Sequence, residues 1–318
     1  MYQAIASPQG DKFIVARPGA RKGMHIPHIM YKELSDAVAD RQTVPGWLVD
    51  AARQAWGIDL AGCPTERTVL VRPLTSLNYS RATWEINKGC NFNCEHRYLA
   101  ERKFEGLSRE EKDRLLFMLR DAGVLWLQFT GGEPTIDRDF AHSYRTAYGL
   151  GMLIKAAKEA GVPLELALIV TKHNAHEVEA MRDLAEEYAY TYTEYANISP
   201  TYDGKPEPLA AQAPGFLDKS TVFKGCPAGH AFFHVDPHGF ATMCKVGREN
   251  PVNLMAEGLD GLLRLPAIAD AEMLRSGGCS GCRLSATCRV CRPLAKAYQE
   301  AKAPLNTYCQ HGNGDHIT

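Results

Sequence analysis

The spacing of apolar and polar residues changes along the chain and predicts its secondary structure. Between residues 81 and 200, short apolar runs rich in β-branched and aromatic residues alternate with longer segments of helical periodicity. The predicted strands are 82–87, 124–129, 164–170 and 190–198. The predicted helices are 108–122, 138–160 and 174–188. Strands that alternate with helices in this way predict an α/β domain with mainly parallel strands.

The first 80 residues predict a smaller α+β unit. Its predicted elements are strands at 13–15 and 68–72 and helices at 31–40 and 46–56. This strand–helix–helix–strand order is compatible with a winged-helix-like unit that recognises peptides. It is equally compatible with an extension that only packs against the main domain.

Composition and charge narrow the class of protein. The chain has 318 residues, of which 45% are hydrophobic, so it can form one large domain or two to three smaller ones. A net charge of −1 gives no indication of a nucleic-acid or membrane-surface partner. No apolar run reaches the length of a membrane span, and the first residues do not have the pattern of a signal peptide. We therefore expect a cytoplasmic protein.

The ten cysteines are distributed unevenly. Cys63 is isolated, which suits a small buried apolar residue, Cys90 and Cys94 form a pair, and the other seven follow residue 225. In a reducing compartment, clustered cysteines are better explained as metal ligands than as disulfides. A segment rich in Pro, Gly and Ala, 201–225, precedes the cysteine-rich region and predicts a linker or a loop over the mouth of the main domain.

Two loops that carry candidate ligand-binding residues follow predicted strands. Cys90 and Cys94 come directly after the strand 82–87, and the segment Thr130-Gly131-Gly132-Glu133-Pro134 comes directly after the strand 124–129. Carboxyl ends of parallel strands are where α/β folds place their chemistry. The glycines allow a ligand to approach the backbone closely, and the Glu133 carboxylate can accept hydrogen bonds from an ammonium group. By itself the second segment is also a plausible turn.

The first loop resembles the signature Cys-x3-Cys-x2-Cys of the radical S-adenosylmethionine (AdoMet) enzymes. In that family three thiolates hold a [4Fe–4S] cluster, and the open iron binds AdoMet, which is cleaved reductively to a 5′-deoxyadenosyl radical. The resemblance assigns Cys90 and Cys94 to the cluster, and Tyr98 to a position near the adenine. It implies that Gly131, Gly132 and Glu133 bind the methionine amino group of AdoMet.

The sequence departs from this signature at its third position, which is Arg97. A guanidinium has no lone pair for iron, so Arg97 cannot be a ligand. The alternatives are a substitute ligand such as His96, a cluster held by two thiolates and an outside group, or no cluster at this loop. The cluster at the AdoMet site is therefore doubtful, and so is enzymatic activity.

The cysteine-rich segment is similar to the SPASM extension of radical AdoMet enzymes that modify peptides. The resemblance implies two auxiliary [4Fe–4S] clusters, of which one is assigned to Cys279, Cys282, Cys288 and Cys309. The other is assigned to Cys226, Cys244 and Cys291. The competing explanation is a zinc site built from the two Cys-x2-Cys pairs, although their separation is shorter than in zinc ribbons.

The resemblance also implies the architecture. The expected fold is a partial (β/α) barrel of the radical AdoMet type, with a small N-terminal α+β unit and a C-terminal, loop-rich iron–sulfur domain. The barrel is shortened, because four strands are predicted where six are expected, and the two missing units fall after residues 149–152. The expected boundaries are 1–80, 81–200, 201–225 as linker, and 226–318.

The function implied is reductive cleavage of AdoMet and modification of a ribosomally synthesised precursor peptide by hydrogen abstraction. The reductant would be a flavodoxin or ferredoxin. The alternative is a catalytically degenerate homologue that keeps the auxiliary clusters and acts as a binding or scaffold protein. Arg97 and the missing strands favour this alternative. The sequence assigns no catalytic residue and identifies neither the peptide nor the bond formed.

Overall fold

The computed structural model describes residues 2–20, 23–75, 77, 79–99, 102–154, 165–188, 191–217, 226–275 and 291–309. The chain forms two compact units, each made of several segments. The first unit comprises Met1–Ala82, Lys112–Gln128 and His142–Pro163. The second comprises Thr83–Glu111, Phe129–Ala141 and Leu164–Thr318. None of the helices in the described ranges combines the length and apolar character that crossing a bilayer requires.

The N-terminal part of the first unit is a four-stranded sheet covered by helices. Its strands are β1 (Ala4–Gln9), β2 (Lys12–Ala16), β3 (Met24–Ile26) and β4 (Val69–Val71), in the order β3-β2-β1-β4. Its helices are α1 (His28–Ala39), α2 (Gly46–Trp56) and α3 (Thr65–Thr68). β1 and β2 form an antiparallel hairpin, and β4 lies parallel to β1. The predicted strands and helices of this segment are confirmed, whereas β1 and β3 were missed.

Helices α1 and α2 form because apolar side chains recur on one face of each. Leu34 on α1 and Leu48 and Ala52 on α2 are fully buried and pack in one core cluster. Cys63 is partly buried against the same cluster, which fits its expected role as a small apolar residue. Helix α2 ends at Gly57, whose left-handed backbone is readily adopted by glycine.

A buried arginine joins the N-terminal sheet to a later helix of the first unit. The guanidinium of Arg72 donates a hydrogen bond to the backbone carbonyl of Arg120, at 3.0 Å, and the hydroxyl of Tyr31 donates to the carbonyl of Arg72 at 2.5 Å. Burial lowers the pKa of Arg72 to about 10. These bonds satisfy polar groups that would be costly to bury without partners.

Among its described residues, the α/β region contains five strands where four are predicted. They are β5 (Arg81–Asn87), β6 (Trp126–Gly131), β7 (Leu153–Ile154), β8 (Glu165–Ile169) and β9 (Thr191–Tyr195). Its helices are α4 (Arg109–Asp121), α5 (Phe140–Gly149) and α6 (Val178–Tyr188). The four predicted strands are confirmed, and β7 is parallel to β6, as β9 is to β8.

The predicted helix 138–160 is wrong at residues 150–154, because α5 ends at Gly149, and residues 155–160 lie outside the described part of the chain. Gly151 adopts a φ of 77°, which a helix does not allow, and the chain then continues into β7. The amide of Leu153 donates to the carbonyl of Leu125 at 2.7 Å, so pairing with β6 replaces the predicted helix. A strand therefore occupies part of the interval where two strand units were thought to be missing.

The strands of the α/β region belong to two sheets. A six-stranded sheet has the order β12-β11-β10-β5-β6-β7, and β8 and β9 form a separate two-stranded sheet. The added strands are β10 (Phe232–Val235), β11 (Phe240–Thr242) and β12 (Val252–Asn253). The shortened partial barrel and the four domain ranges therefore stay predictions.

Where the structure describes it, the C-terminal part of the second unit adds three helices. They are α7 (Leu254–Leu262), α8 (Leu265–Arg275) and α9 (Arg292–Glu300). Short 3₁₀ segments occur at Pro134–Ile136, Ala175–Glu177, Glu207–Ala211, Pro214–Phe216 and Leu305–Thr307. Two of them lie in the predicted linker. Three predicted cluster ligands, Cys279, Cys282 and Cys288, lie outside the described residues.

Candidate functional site

The two loops singled out in the sequence lie against each other in the second unit. The amide of Gly132 donates to the carbonyl of Asn87 at 3.1 Å, and the amide of Glu133 donates to the carbonyl of Gly89 at 2.9 Å. A Cβ atom on Gly131 would lie 2.0 Å from the Asn87 oxygen, and one on Gly132 would lie 1.8 Å from the Gly89 oxygen. Both glycines are therefore required for the loops to approach, whether or not a ligand binds.

The carboxylate of Glu133 is used within its own turn. It accepts hydrogen bonds from the amide of Thr135, at 3.0 Å, and from the hydroxyl of Thr135, at 2.5 Å. These bonds cap the 3₁₀ segment Pro134–Ile136. A carboxylate has further lone pairs, so binding of an ammonium group by Glu133 stays a prediction.

A guanidinium lies beside the two sulfurs of the first loop. Cys90 is half-buried and Cys94 is exposed. Arg97 donates a hydrogen bond to the carbonyl of Lys88, in the turn that precedes Cys90. Burial lowers the pKa of Arg97, while the electrostatic influence of Cys90 and Cys94 raises it, so the cation lies near both thiols.

This donor set does not fit a cluster held by three thiolates. Arg97 offers hydrogen-bond donors and no lone pair. Burial lowers the pKa of His96, which favours its neutral form. Within the described ranges, no three His, Cys, Asp or Glu side chains are close enough to hold one metal ion.

A buried carboxylate that sequence reasoning missed lies in the preceding strand. Glu85, in the middle of β5, has no exposed surface. The guanidinium of Arg248 binds both carboxylate oxygens, at 2.7 and 3.1 Å, and the hydroxyl of Tyr98 donates to one oxygen at 3.0 Å. His234 Nε2 lies 3.3 Å from the same oxygen. The only signal in the sequence was a charged residue inside an otherwise buried strand.

The protonation states of this network follow from burial and from its ion pair. Burial opposes ionisation of Glu85, but its interactions with His234 and Arg248 hold its pKa at about 2. Burial also lowers the pKa of His234 and raises the pKa of Tyr98. At neutral pH the network is thus an ionised Glu85–Arg248 pair with a neutral imidazole and phenol. Tyr98 is predicted to lie near adenine, and in the structure its hydroxyl donates a hydrogen bond to Glu85.

Cations line the two tyrosines beside this network. The amide of Tyr202 donates to the carbonyl of Tyr98 at 3.0 Å. Lys245 Nζ lies 5.0 Å from the centroid of the Tyr98 ring, and the guanidinium carbon of Arg248 lies 4.2 Å from that of Tyr202. Lys88 Nζ lies 5.6 Å from the Tyr202 ring. These are cation–π distances, and the charge of Arg248 is balanced by Glu85.

Asn87 is the second polar residue that the sequence analysis did not single out. It ends β5, is 1% exposed, and its carbonyl contacts the Gly131 loop. Neither its Oδ1 nor its Nδ2 has a hydrogen-bond partner among the described residues. Burying an unsatisfied amide is costly, and such groups in folded proteins usually have a partner. Asn87 is therefore a candidate contact for a polar ligand at the two loops.

Three C-terminal cysteines lie close enough to influence one another. Burial, together with the charges of Cys244 and Cys226, raises the pKa of Cys291 to about 11. Burial, Cys226 and Glu272 raise the pKa of Cys244. The amide of Gly247 donates to Cys244 Sγ at 3.1 Å. The structure thus brings together the three residues that the resemblance assigns to one cluster.

This set fits an iron–sulfur cluster in its chemistry. Clusters are bound by thiolates that accept hydrogen bonds from nearby backbone amides, as Cys244 does here. In a cluster of four irons each thiolate binds a different iron, so the sulfurs need not be as close as the ligands of a single metal ion. Cys309 is buried, and its amide donates to the carbonyl of Leu305 at 2.9 Å.

A small cavity is lined by residues that follow Cys244 and Cys291 in the sequence, among them Gly247 and Pro293. It has a volume of about 90 Å³, and its walls include Tyr202, Arg248, Glu272, Lys296 and Glu300. Glu272 is 4% exposed, and burial raises the pKa of its carboxyl to about 7.

Comparison with known proteins identifies similar folds. No protein-family model and no curated protein sequence matches the chain. SuiB of Streptococcus suis bound to the precursor peptide SuiA has a TM-score of 0.54 at 12% identity, over 90% of this chain and 93% of that one. SuiB bound to S-adenosylmethionine has a TM-score of 0.50 at 12% identity, over 91% and 94%. At these identities the likeness shows a shared mixed α/β fold.

Proposed function

We propose that this chain is an iron–sulfur protein of the radical AdoMet/SPASM class that binds a peptide and does not generate a radical at Cys90 and Cys94. The observation that carries the proposal is the position of Arg97. Its guanidinium lies near both sulfurs and is tied to the carbonyl of Lys88, where the class needs a third thiolate. With two protein thiolates, the loop cannot hold the open-iron cluster that AdoMet cleavage requires.

The C-terminal cysteines support the iron–sulfur part of the proposal. Cys226, Cys244 and Cys291 would hold one auxiliary cluster, and an N–H donor to Cys244 is already in place. Cys279, Cys282, Cys288 and Cys309 would hold the other. When bound, such clusters supply sites for one-electron transfer. A flavodoxin or ferredoxin is the proposed redox partner.

The peptide part of the proposal rests on the fold and on an edge strand. Of the two SuiB structures above, the one with the higher TM-score contains the bound precursor peptide SuiA. In this chain β3 is the edge strand of the N-terminal sheet, and Ile29 in the following helix is 71% exposed. Edge strands accept an added peptide strand, and adjacent apolar side chains supply specificity. The partner proposed is a ribosomally synthesised precursor peptide.

A second candidate function keeps the radical chemistry. It is favoured by Asn87, whose buried amide has no partner among the described residues, beside two loops that already dock. In this case AdoMet would contact Asn87, Gly131, Gly132 and Glu133, and the chain would abstract hydrogen from a precursor peptide. The two candidates differ in a single measurable product, 5′-deoxyadenosine.

The test compares the unaltered chain with Arg97→Cys after anaerobic purification and cluster reconstitution. Arg102→Cys is the matched control, because it adds a thiol on the same loop at an exposed position. We expect about eight irons in the unaltered chain and in the control, and about four more in Arg97→Cys. With dithionite and AdoMet, the unaltered chain should form no 5′-deoxyadenosine.

Two results would contradict the proposal in different ways. Repeated turnover of AdoMet to 5′-deoxyadenosine by the unaltered chain would establish the second candidate function. Zinc in place of iron and sulfide would exclude both candidates.

A further inference from the structure

A carboxylate lies on the buried face of helix α8. Leu265, Ala269 and Glu272 recur at spacings of four and three residues, so they share one face of the helix, and they are 0%, 1% and 4% exposed. A Cβ atom on Gly229 would lie 2.4 Å from the Ala269 Cβ, so this face packs on the loop that follows Cys226. A charged residue on such a face is unexpected from packing alone.

The Glu272 carboxylate lies close to Cys244. A Cβ atom on Gly247 would lie 3.0 Å from Glu272 Oε2, and the amide of the same Gly247 donates to Cys244 Sγ at 3.1 Å. Electrostatic interaction between Glu272 and Cys244 agrees with this proximity. The small cavity is lined by Glu272 and by Pro293, two residues after Cys291. Glu272 thus faces segments that carry two of the thiols.

The chemistry of the cluster supplies a reason for this placement. A [4Fe–4S] cluster has four irons to be ligated, and the set assigned here contains three cysteines. Buried carboxylates are normally paired or bound to metal, and carboxylate oxygen is an established ligand of iron. Asn250 and Lys296 also interact with Glu272, and such second interactions orient a ligating carboxylate.

We propose that Glu272 is the fourth protein ligand of the cluster held by Cys226, Cys244 and Cys291. The inference rests on the auxiliary cluster of the proposed function and extends it from three ligands to four. It makes this cluster coordinatively complete, with one iron bound by oxygen. No iron would be open to a substrate while Glu272 is bound.

The experiment replaces Glu272 by Gln, which keeps its size and removes its charge. Asp270→Asn is the matched control, because Asp270 lies on the same helix, is exposed, and pairs with His230 at 2.8 Å. Glu272→Cys supplies a thiolate at the same position. The reconstituted proteins are mildly oxidised, and their iron content and low-temperature electron paramagnetic resonance spectra are measured.

The expected result is a loss of iron from Glu272→Gln alone. Glu272→Gln should lose about one iron per protein and show a [3Fe–4S] signal, because an iron without a protein ligand is released on oxidation. Asp270→Asn and Glu272→Cys should retain their iron. The unaltered protein, reconstituted with ⁵⁷Fe, should show by Mössbauer spectroscopy one iron with the higher isomer shift of oxygen ligation, and this readout does not depend on any variant folding.

The outcomes separate this inference from the function on which it rests. If the unaltered protein holds two clusters, but Glu272→Gln retains iron as Asp270→Asn does and no oxygen-bound iron is seen, Glu272 is not a ligand and the proposed function stands. If the unaltered protein binds no iron at all, both proposals are wrong.

Discussion

Replacing Arg248 by Met should destabilise the second unit, because the Glu85 carboxylate would remain buried without its cationic partner. The magnitude follows from the pKa of Glu85, which the network lowers from 4.5 to about 2. A shift of this size corresponds to about 3 kcal/mol of preferential stabilisation of the carboxylate. Removing one partner of a buried ion pair typically costs a similar 3–5 kcal/mol.

The pH dependence has a defined sign. The folded-state pKa of Glu85 lies below its unfolded value, so the pair stabilises the fold fully above pH 4.5, and this contribution is lost as the pH falls towards 2. In Arg248→Met, burial raises the pKa of the carboxyl, and protonation then relieves the unpaired charge. The difference in stability between the two proteins should therefore shrink as the pH falls below 4.5.

The assay is urea unfolding of anaerobically purified protein, followed by circular dichroism. Arg264→Met is the matched control, because Arg264 forms an exposed pair with Glu257 and should contribute no more than about 1 kcal/mol. The double variant Glu85→Gln/Arg248→Met should recover at least about 1 kcal/mol relative to Arg248→Met, since no charge remains buried. Equal effects of the two Arg→Met changes, or no recovery in the double variant, would refute the reasoning.

Three further predictions concern single contacts, each measured by thermal unfolding. Gly132→Ala should lower the free energy of unfolding by more than about 2 kcal/mol, because its Cβ would overlap a backbone oxygen. Gly149→Ala, at the open end of α5, should be neutral or raise stability by up to about 1 kcal/mol. Equal effects of the two changes would contradict the close approach of the loops. Asn87→Leu should leave stability unchanged or raise it, since the buried amide has no described partner, and a loss above about 1 kcal/mol would reveal one. Tyr31→Phe removes the hydrogen bond to the Arg72 carbonyl and should cost about 1 kcal/mol, so an unchanged melting temperature would show that the bond contributes nothing.

Much of the secondary structure could be predicted because its causes are local. The strands 82–87 and 124–129 are confirmed as β5 and β6, and the loops that follow them meet, as expected of loops at the ends of neighbouring strands. The predicted helix 138–160 was wrong at residues 150–154, because β7 forms there by pairing with β6, and local periodicity does not encode that pairing.

Parts of the candidate site could not be predicted from the sequence for a similar reason. The bond between Glu85 and Arg248 spans 163 positions in the sequence. It forms because β10 lies next to β5, with His234 on that strand facing Glu85. A lone charge in a strand indicates that a partner is needed, but only the sheet order decides which residue supplies it.

By itself, the sequence determined the kinds of groups present and the local elements that carry them. It placed clustered thiols in the C-terminal third and a cation, Arg97, at the position of a missing thiol, because residue type and spacing are properties of the chain. Only the tertiary structure decided which groups face one another. It tied Arg97 to the Lys88 carbonyl, closed the Glu85 network, and turned Glu272 towards Cys244. The physical reason is that burial and electrostatic pairing depend on the packing of distant segments, which no local pattern encodes.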